Sequence, residues 1–210
     1  FQALDEKIVE KINTSGVYLA ADKIQLLHNY EGAMFPIVIG STLPFYSNKI
    51  CLLGDKKFLY EGNVLKNLPA EPQGNLQRQI SPNPSREKII ETAQLFLNAP
   101  YLWGGRTIFG LDCSGFTQLV FKLNGIKLKR DAHQQAEQGT TVNFADEAEQ
   151  GDLAFFDNTN GKIVHVGIVA SPPAPLHQEK GEKNAATIIH ASGKVRIDSF
   201  DHQGIFNEEN

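Results

Sequence analysis

The sequence predicts an α+β protein, in which a unit of short strands precedes a group of helices and a second, antiparallel sheet. Three observations predict it. Between Val17 and Tyr60, short apolar runs are broken every few residues by Gly, Asn, Asp or Pro, the spacing of a small all-β unit. From Ser85 to Gln138 the apolar period is helical, and from Asp152 onward it switches to alternation. Helices followed by a sheet within one unit are the pattern of an α+β domain.

A short helical pattern opens the chain at Leu4, Ile8, Val9 and Ile12. Strand-like runs follow over 17–20, 24–28, 34–39, 49–53 and 57–60, with turn residues at Gly32, Gly40, Pro44, Gly54-Asp55 and Gly62. Residues 1–66 are therefore expected to form a small barrel or partial sandwich. Residues 67–84 carry Pro69, Pro72, Gly74, Pro82 and Pro84 among polar residues, the composition of a linker. The second domain is expected over 85–210. Ser85 is placed to cap a helix with Ile89, Ile90, Ala93, Phe96 and Leu97 on one face, stopped by Pro100. A second helix follows Asp112, with Phe116, Leu119, Val120 and Leu123 on one side and Asn124-Gly125 as its stop. A shorter one is expected over 132–138. Strands are expected over 152–156, 163–170, 187–191 and 195–198, with 171–185 as a surface excursion between two of them. No internal repeat is visible.

The chain has 210 residues, 41% of them apolar and 21% charged, enough for one large domain or a small and a medium one. A net charge of -4 and a pI near 5.9 argue against a nucleic-acid partner, because phosphate binding wants a concentrated basic surface. No apolar run approaches the ~20 residues of a membrane-spanning helix. The chain begins at Phe1 and ends abruptly at Asn210, which reads as a mature or trimmed form. Two cysteines make a poor disulfide framework. Cys51, in Ile50-Cys51-Leu52-Leu53, reads as a small buried hydrophobe.

Cys113 stands in a different setting, at the start of a helix. Free N–H groups and a partial positive charge there favour a thiolate and a lowered pKa. A buried structural cysteine is the competing reading. Nucleophilic catalysis also needs a base. In Ile163-Val164-His165-Val166-Gly167-Ile168-Val169, alternation puts His165 and Gly167 on one face and the apolar residues on the other. In Thr187-Ile188-Ile189-His190-Ala191-Ser192-Gly193, His190 again interrupts a strand, with Ser192 on the same face. Thiol, base and a second histidine to orient the base would make a triad. Zinc is the rival chemistry, but no histidine pairs closely with another or with a cysteine, as structural zinc sites require. No metal and no cofactor are expected, since Gly104-Gly105 also lacks the lysine of a phosphate loop.

Six ordered motifs now come together: Pro100-Tyr101-Leu102-Trp103-Gly104-Gly105, Asp112-Cys113-Ser114-Gly115-Phe116, Arg130-Asp131-Ala132, Gly151-Asp152-Leu153-Ala154-Phe155-Phe156, His165-Val166-Gly167-Ile168 and His190-Ala191. From Ser85 to the end the chain resembles the NlpC-type cysteine peptidases, papain-like bacterial enzymes that cut cell-wall peptides. The resemblance implies a papain-like domain with Cys113 as nucleophile, His165 as base and His190 as orienter. It also implies that Tyr101 helps the Cys113 N–H hold the oxyanion, and that Asp131 binds the free amine of an N-terminal L-alanine. An Asp ahead of Ala132 is equally a helix cap. Ser114, Trp103 and Ser192 are expected to line the cleft. The implied substrate is L-Ala-γ-D-Glu-diamino acid, cut after the γ-D-glutamate as by dipeptidyl-peptidase VI-type enzymes, with the chain acting as a monomer. The N-terminal unit resembles a bacterial SH3-like domain. In relatives this domain narrows the cleft and supplies a tyrosine, here drawn from Tyr18, Tyr30, Tyr46 and Tyr60. The expected compartment is the cell envelope or periplasm, with the cytoplasm as alternative. An amine-binding carboxylate leans toward peptide recycling. The alternatives are a hydrolase or amidase acting on intact peptidoglycan, and an inactive wall-binding protein.

Overall fold

The computed structural model describes residues 17–67, 84–142, 147–172, 186–201 and 204–206. The helical pattern at Leu4 to Ile12 lies outside them, as do most of the proline-rich stretch before Pro84 and most of the excursion before Ala186. The chain divides into two compact units, 1–83 and 84–210.

Among the described residues, seven short strands build the first unit: β1 (Val17–Ala20), β2 (Ile24–His28), β3 (Met34–Val38), β4 (Thr42–Leu43), β5 (Ile50–Leu53), β6 (Lys56–Leu59) and β7 (Val64–Asn67). They form a three-stranded sheet in the order β4-β1-β7 and a four-stranded sheet in the order β3-β2-β6-β5. Their inner faces close on Ala20, Leu27, Leu43, Cys51, Phe58 and Tyr60. Cys51 is free and wholly buried, as its apolar run predicts. Tyr60 is a core residue: its hydroxyl donates to the Asn63 carbonyl at 3.0 Å, a phenol satisfied inside the unit. That removes it from the tyrosines expected to reach a substrate.

The second unit begins with α1 (Arg86–Gln94), whose N-cap Ser85 accepts from the Lys88 N–H at 3.2 Å. Such a cap is worth about 1 kcal/mol. The expected helix ran on through Leu97; the structure ends it at Gln94. Three tight i→i−3 bonds follow at Leu95, Phe96 and Leu97, and Asn98 closes the turn at φ 67°. Asn tolerates that left-handed conformation better than most residues. Phe96 still reaches the core, edge-on to Phe116 with ring centres 6.3 Å apart.

A two-stranded ribbon, β8 (Arg106–Thr107) with β9 (Gly110–Leu111), leads into α2 (Cys113–Leu123). Helix α2 stops at Asn124-Gly125, as expected, with Gly125 at φ 83°. A single further turn and a half forms α3 (Ala132–Ala136). Five strands then run as an antiparallel meander: β10 (Leu153–Asp157), β11 (Ile163–Ser171), β12 (Thr187–Ser192), β13 (Lys194–Asp201) and β14 (Gly204–Phe206). The sheet and helices enclose Phe96, Phe116, Val120, Val166, Ile168, Ile188 and Ile189, all fully or almost fully buried. Among the described residues no helix is long and apolar enough to cross a membrane.

Candidate active site

Cys113 is the first residue of α2, and Asp112 is its N-cap, accepting from the Gly115 N–H at 2.6 Å. The cap is itself clamped. Arg130 holds both Asp112 carboxylate oxygens, at 2.5 and 3.1 Å, and donates to the Ser114 hydroxyl at 2.9 Å. The Gly104 N–H adds a bond to Asp112 at 2.9 Å. Burial pushes the Asp112 carboxyl up, but the Arg130 fork and the two amides outweigh it and leave the pKa lowered. Gly115 is required here: a Cβ would stand 2.2 Å from the Gly105 carbonyl oxygen. The start of α2 is therefore seated against the loop that carries Tyr101 and Trp103. Ser114 is only 6% exposed and its hydroxyl is engaged by Arg130 and Asp112. That hydroxyl is part of the frame that fixes the start of the helix.

The sheet that packs against Cys113 through Val166 carries His165 on β11 and His190 on β12. Register places Gly167 beside His190, and a Cβ on Gly167 would stand 2.9 Å from the His190 Cβ. The missing side chain makes room first for Ile188, whose Cδ1 would lie 2.5 Å from that Cβ, and then for the His190 Cβ. His165 Nε2 lies 2.8 Å from His190 Nδ1, and the rings meet edge to face. His190 Nε2 in turn lies 2.9 Å from Asp198 Oδ2 on β13. That oxygen also accepts from Arg196 Nε at 2.7 Å. Sequence reasoning singled out neither Asp198 nor Arg196.

Burial lowers the pKa of His165 to about 4, helped by the neighbouring His190 and Arg196. Burial also lowers His190, against the bond and charge of Asp198, which raise it. Both rings are thus neutral near pH 7, the state a general base needs. Burial pushes the Cys113 thiol up too, while the backbone N–H groups of Val166 and Ser114 act to lower it. The sequence led to the opposite expectation, a thiol lowered by the helix start. The structure corrects it: a thiol packed with Val166 and Ala132 loses more by desolvation than the amides return.

Tyr101 is half-buried, and its amide donates to the Gly193 carbonyl in the β12–β13 turn at 2.9 Å. Burial raises its phenol pKa, followed by the charges of Cys113 and Asp112. Ser192, half-buried, ends β12 next to that turn. Trp103 is 85% exposed. Asp131 is exposed at the N-cap of α3, where its amide donates to the Gln134 side chain at 3.2 Å. The predicted residues thus fall into an inner group of Cys113, Tyr101, His165 and His190, and an outer group of Asp131, Trp103 and Ser192. Among the described residues no three His, Cys, Asp or Glu side chains converge where they could hold a metal.

The titration of His165 predicts how stability depends on pH. Its folded pKa near 4 lies below the ~6.5 of an unfolded histidine. Between these values the unfolded chain binds a proton that the folded chain does not. Stability is therefore full above pH ~6.5 and falls as the pH drops toward 4, by up to about 3 kcal/mol for this group. Asp112, also lowered, adds its loss below pH ~4. Urea midpoints measured from pH 7 down to 4.5 are expected to fall steadily; a flat profile over that range would overturn the assignment.

A helix-start thiol facing an antiparallel sheet that carries two linked imidazoles is the architecture of a papain-like cysteine peptidase. A model of the NlpC/P60 family matches residues 98–208, and the chain belongs to that family. Two curated relatives are both called gamma-D-glutamyl-L-lysine dipeptidyl-peptidase. The one from Bacillus subtilis (strain 168) is 46% identical over 100 residues, 47% of this chain and 33% of that protein. The one from Bacillus cereus (strain ATCC 10987 / NRS 248) is 35% identical over 109 residues, 51% of this chain and 32% of that protein. The match thus spans about a third of those relatives' length. A solved NlpC/P60 family protein from Bacillus cereus ATCC 10987 superposes with a TM-score of 0.71, covering 96% of this chain and 63% of that one at 24% identity; this likeness concerns the fold alone.

Proposed function

We propose that the chain is an endopeptidase that hydrolyses the γ-D-glutamyl–diamino acid bond of peptidoglycan stem peptides bearing a free N-terminal L-alanine. The observation that carries this reading is the pair of linked imidazoles, 2.8 Å apart, on the sheet that packs against the Cys113 thiol. His165 takes the thiol proton as Cys113 sulfur attacks the γ-glutamyl carbonyl carbon. Because the thiol is raised and the imidazole lowered, proton transfer accompanies attack rather than preceding it. The developing oxyanion is met by the Cys113 amide, which as the first N–H of a helix has no intrahelical partner, and by the Tyr101 hydroxyl. A donor of that kind is worth about 3 kcal/mol of barrier. His165 then gives its proton to the leaving amine. A water deprotonated by the same ring releases the γ-glutamyl group from the thioester.

Asp131 supplies the specificity in this reading. Its exposed carboxylate would pair with the ammonium of L-alanine, and the exposed Trp103 and the half-buried Ser192 would flank the peptide. The names of the two Bacillus relatives support a γ-D-glutamyl substrate. The short strands described in the first unit support reading residues 1–66 as an SH3-like domain, and the division of the chain at residue 83 supports a separate peptidase domain over 85–210, with 67–84 read as the linker.

Mass spectrometry of L-Ala-γ-D-Glu-diaminopimelate tests the reading. Asp131→Asn is expected to lower kcat/KM about 10- to 100-fold, the ~1.5–3 kcal/mol of a charge-assisted hydrogen bond, and N-acetylation of the peptide to do at least the same. Equal cleavage of free and acetylated peptides would sink the role of Asp131. Release of material from intact sacculi, with the short peptide untouched, would favour a hydrolase acting on the polymer.

A further inference from the structure

We propose that Asp198, steadied by Arg196, is a positioning residue that fixes the tautomers of both imidazoles, so that Nδ1 of His165 is the bare nitrogen that takes the Cys113 proton. This rests on Cys113 and His165 being nucleophile and base. It adds a fourth member to the relay and a direction to it.

Counting protons along the relay fixes its direction. An ionised carboxylate only accepts hydrogen bonds, so at 2.9 Å from Asp198 Oδ2 the His190 Nε2 must carry a hydrogen. A neutral imidazole has one N–H, so His190 Nδ1 is a bare acceptor. His165 Nε2, 2.8 Å away, must then be the donor. Its own single hydrogen is thereby used, and Nδ1 of His165 is left unprotonated. One carboxylate decides the protonation of a ring that it does not touch.

Packing makes the decision firm. His190 is 2% exposed and Asp198 8%, so water has little room to substitute for either bond. In the β12–β13 register His190 pairs with Arg196 and Ile188 with Asp198, and His190 meets Asp198 on the diagonal, two residues along. The groups around the relay are Arg196 and Asp198 from β13, His165 from β11, and Phe156 from β10, whose ring lies 6.1 Å from that of His165. Arg196 Nε donates to the same Asp198 oxygen at 2.7 Å, which keeps the carboxylate aimed. When His165 accepts the thiol proton, its cationic ring already has His190 Nδ1 as acceptor, so no group need turn.

The test reads tautomers directly and needs no substrate. Nitrogen-15 shifts of the histidine rings at pH 7 are expected to show Nε2–H for both His165 and His190 in the wild-type protein. In Asp198→Ala both rings are expected to become tautomer mixtures, and alkylation of Cys113 by iodoacetamide to slow at least about 10²-fold, since losing the correct tautomer in a Ser-His-Asp triad costs ~10⁴. Arg196→Gln is expected to slow it less. If Asp198→Ala does not fold, Asp198→Leu, of similar volume but without a hydrogen-bond acceptor, carries the same two readouts. Nδ1–H at His165 in the wild type would overturn the proposal, as would a folded Asp198 variant with unchanged shifts and unchanged alkylation. A stem peptide that goes uncleaved while these tautomers are observed would instead sink the proposed function and leave the relay standing.

Discussion

Cys113→Ala is expected to lower turnover of L-Ala-γ-D-Glu-diaminopimelate by at least about 10⁴-fold, the scale on which removal of a triad nucleophile acts, while barely moving the unfolding midpoint. The two halves of that result have different causes. Everything that positions the thiol lies outside it: the Asp112 cap, the Arg130 fork and the Gly105–Gly115 contact hold the start of α2. Alanine suits a helix, so the frame survives. Loss of one small buried group costs of order 1 kcal/mol. No other thiol can take over, because Cys51 is wholly buried in the first unit. If the protein were an inactive wall-binding module, wild type and variant would be equally inert. Comparable cleavage by both would place the chemistry elsewhere.

The sequence reading of the fold succeeded where an element was long enough to show its period. β1 and β2 were legible to the residue, and α2 with its Asn124-Gly125 stop was equally clear. The elements it missed are β4, β8, β9 and β14, only two or three residues each, and β7. Two residues cannot display alternation. Thr42–Leu43 is a strand only because Leu19 and Tyr18 pair with it, and that is a tertiary fact. The end of α1 was hidden for a different reason: tight turns at 95–97 keep Phe96 on the core side, so the apolar spacing outlives the helix.

Of the candidate site, His165 and His190 drew notice because each interrupts an apolar strand pattern, and Cys113 because it stands at the start of a helix. Asp198 did not. In Val195-Arg196-Ile197-Asp198 it reads as a solvated strand charge, and only the register that sets β13 against β12 brings it to His190. Ser114 shows the same dependence on contacts distant in sequence. Beside a nucleophile a serine suggests a cleft, yet the arginine that ties it down comes from sixteen residues along the chain. The pKa of the thiol was misjudged because a sequence shows the helix start and does not show how deeply the thiol is buried.

His165→Gln separates catalysis from stability more sharply than any other change in the site. Activity is expected to fall about 10³-fold or more, near the upper part of what a general base contributes, because an amide has no nitrogen able to take the thiol proton. The Gln side-chain N–H can still donate to His190 Nδ1, so the relay behind it keeps its hydrogen bond. Stability should move the opposite way in acid. The wild-type ring resists protonation down to about pH 4, and every unfolded molecule gains a proton below pH ~6.5. Glutamine has no such proton to gain, so the variant should lose less stability between pH 6.5 and 4.5. The residual slope belongs to His190, lowered in the same sense, and to other titrating groups. Urea titrations at pH 7 and pH 4.5, paired with peptide cleavage at pH 7, read both effects. Retained activity would remove His165 as the base. An acid slope identical to wild type would mean that the depressed titration belongs to another group.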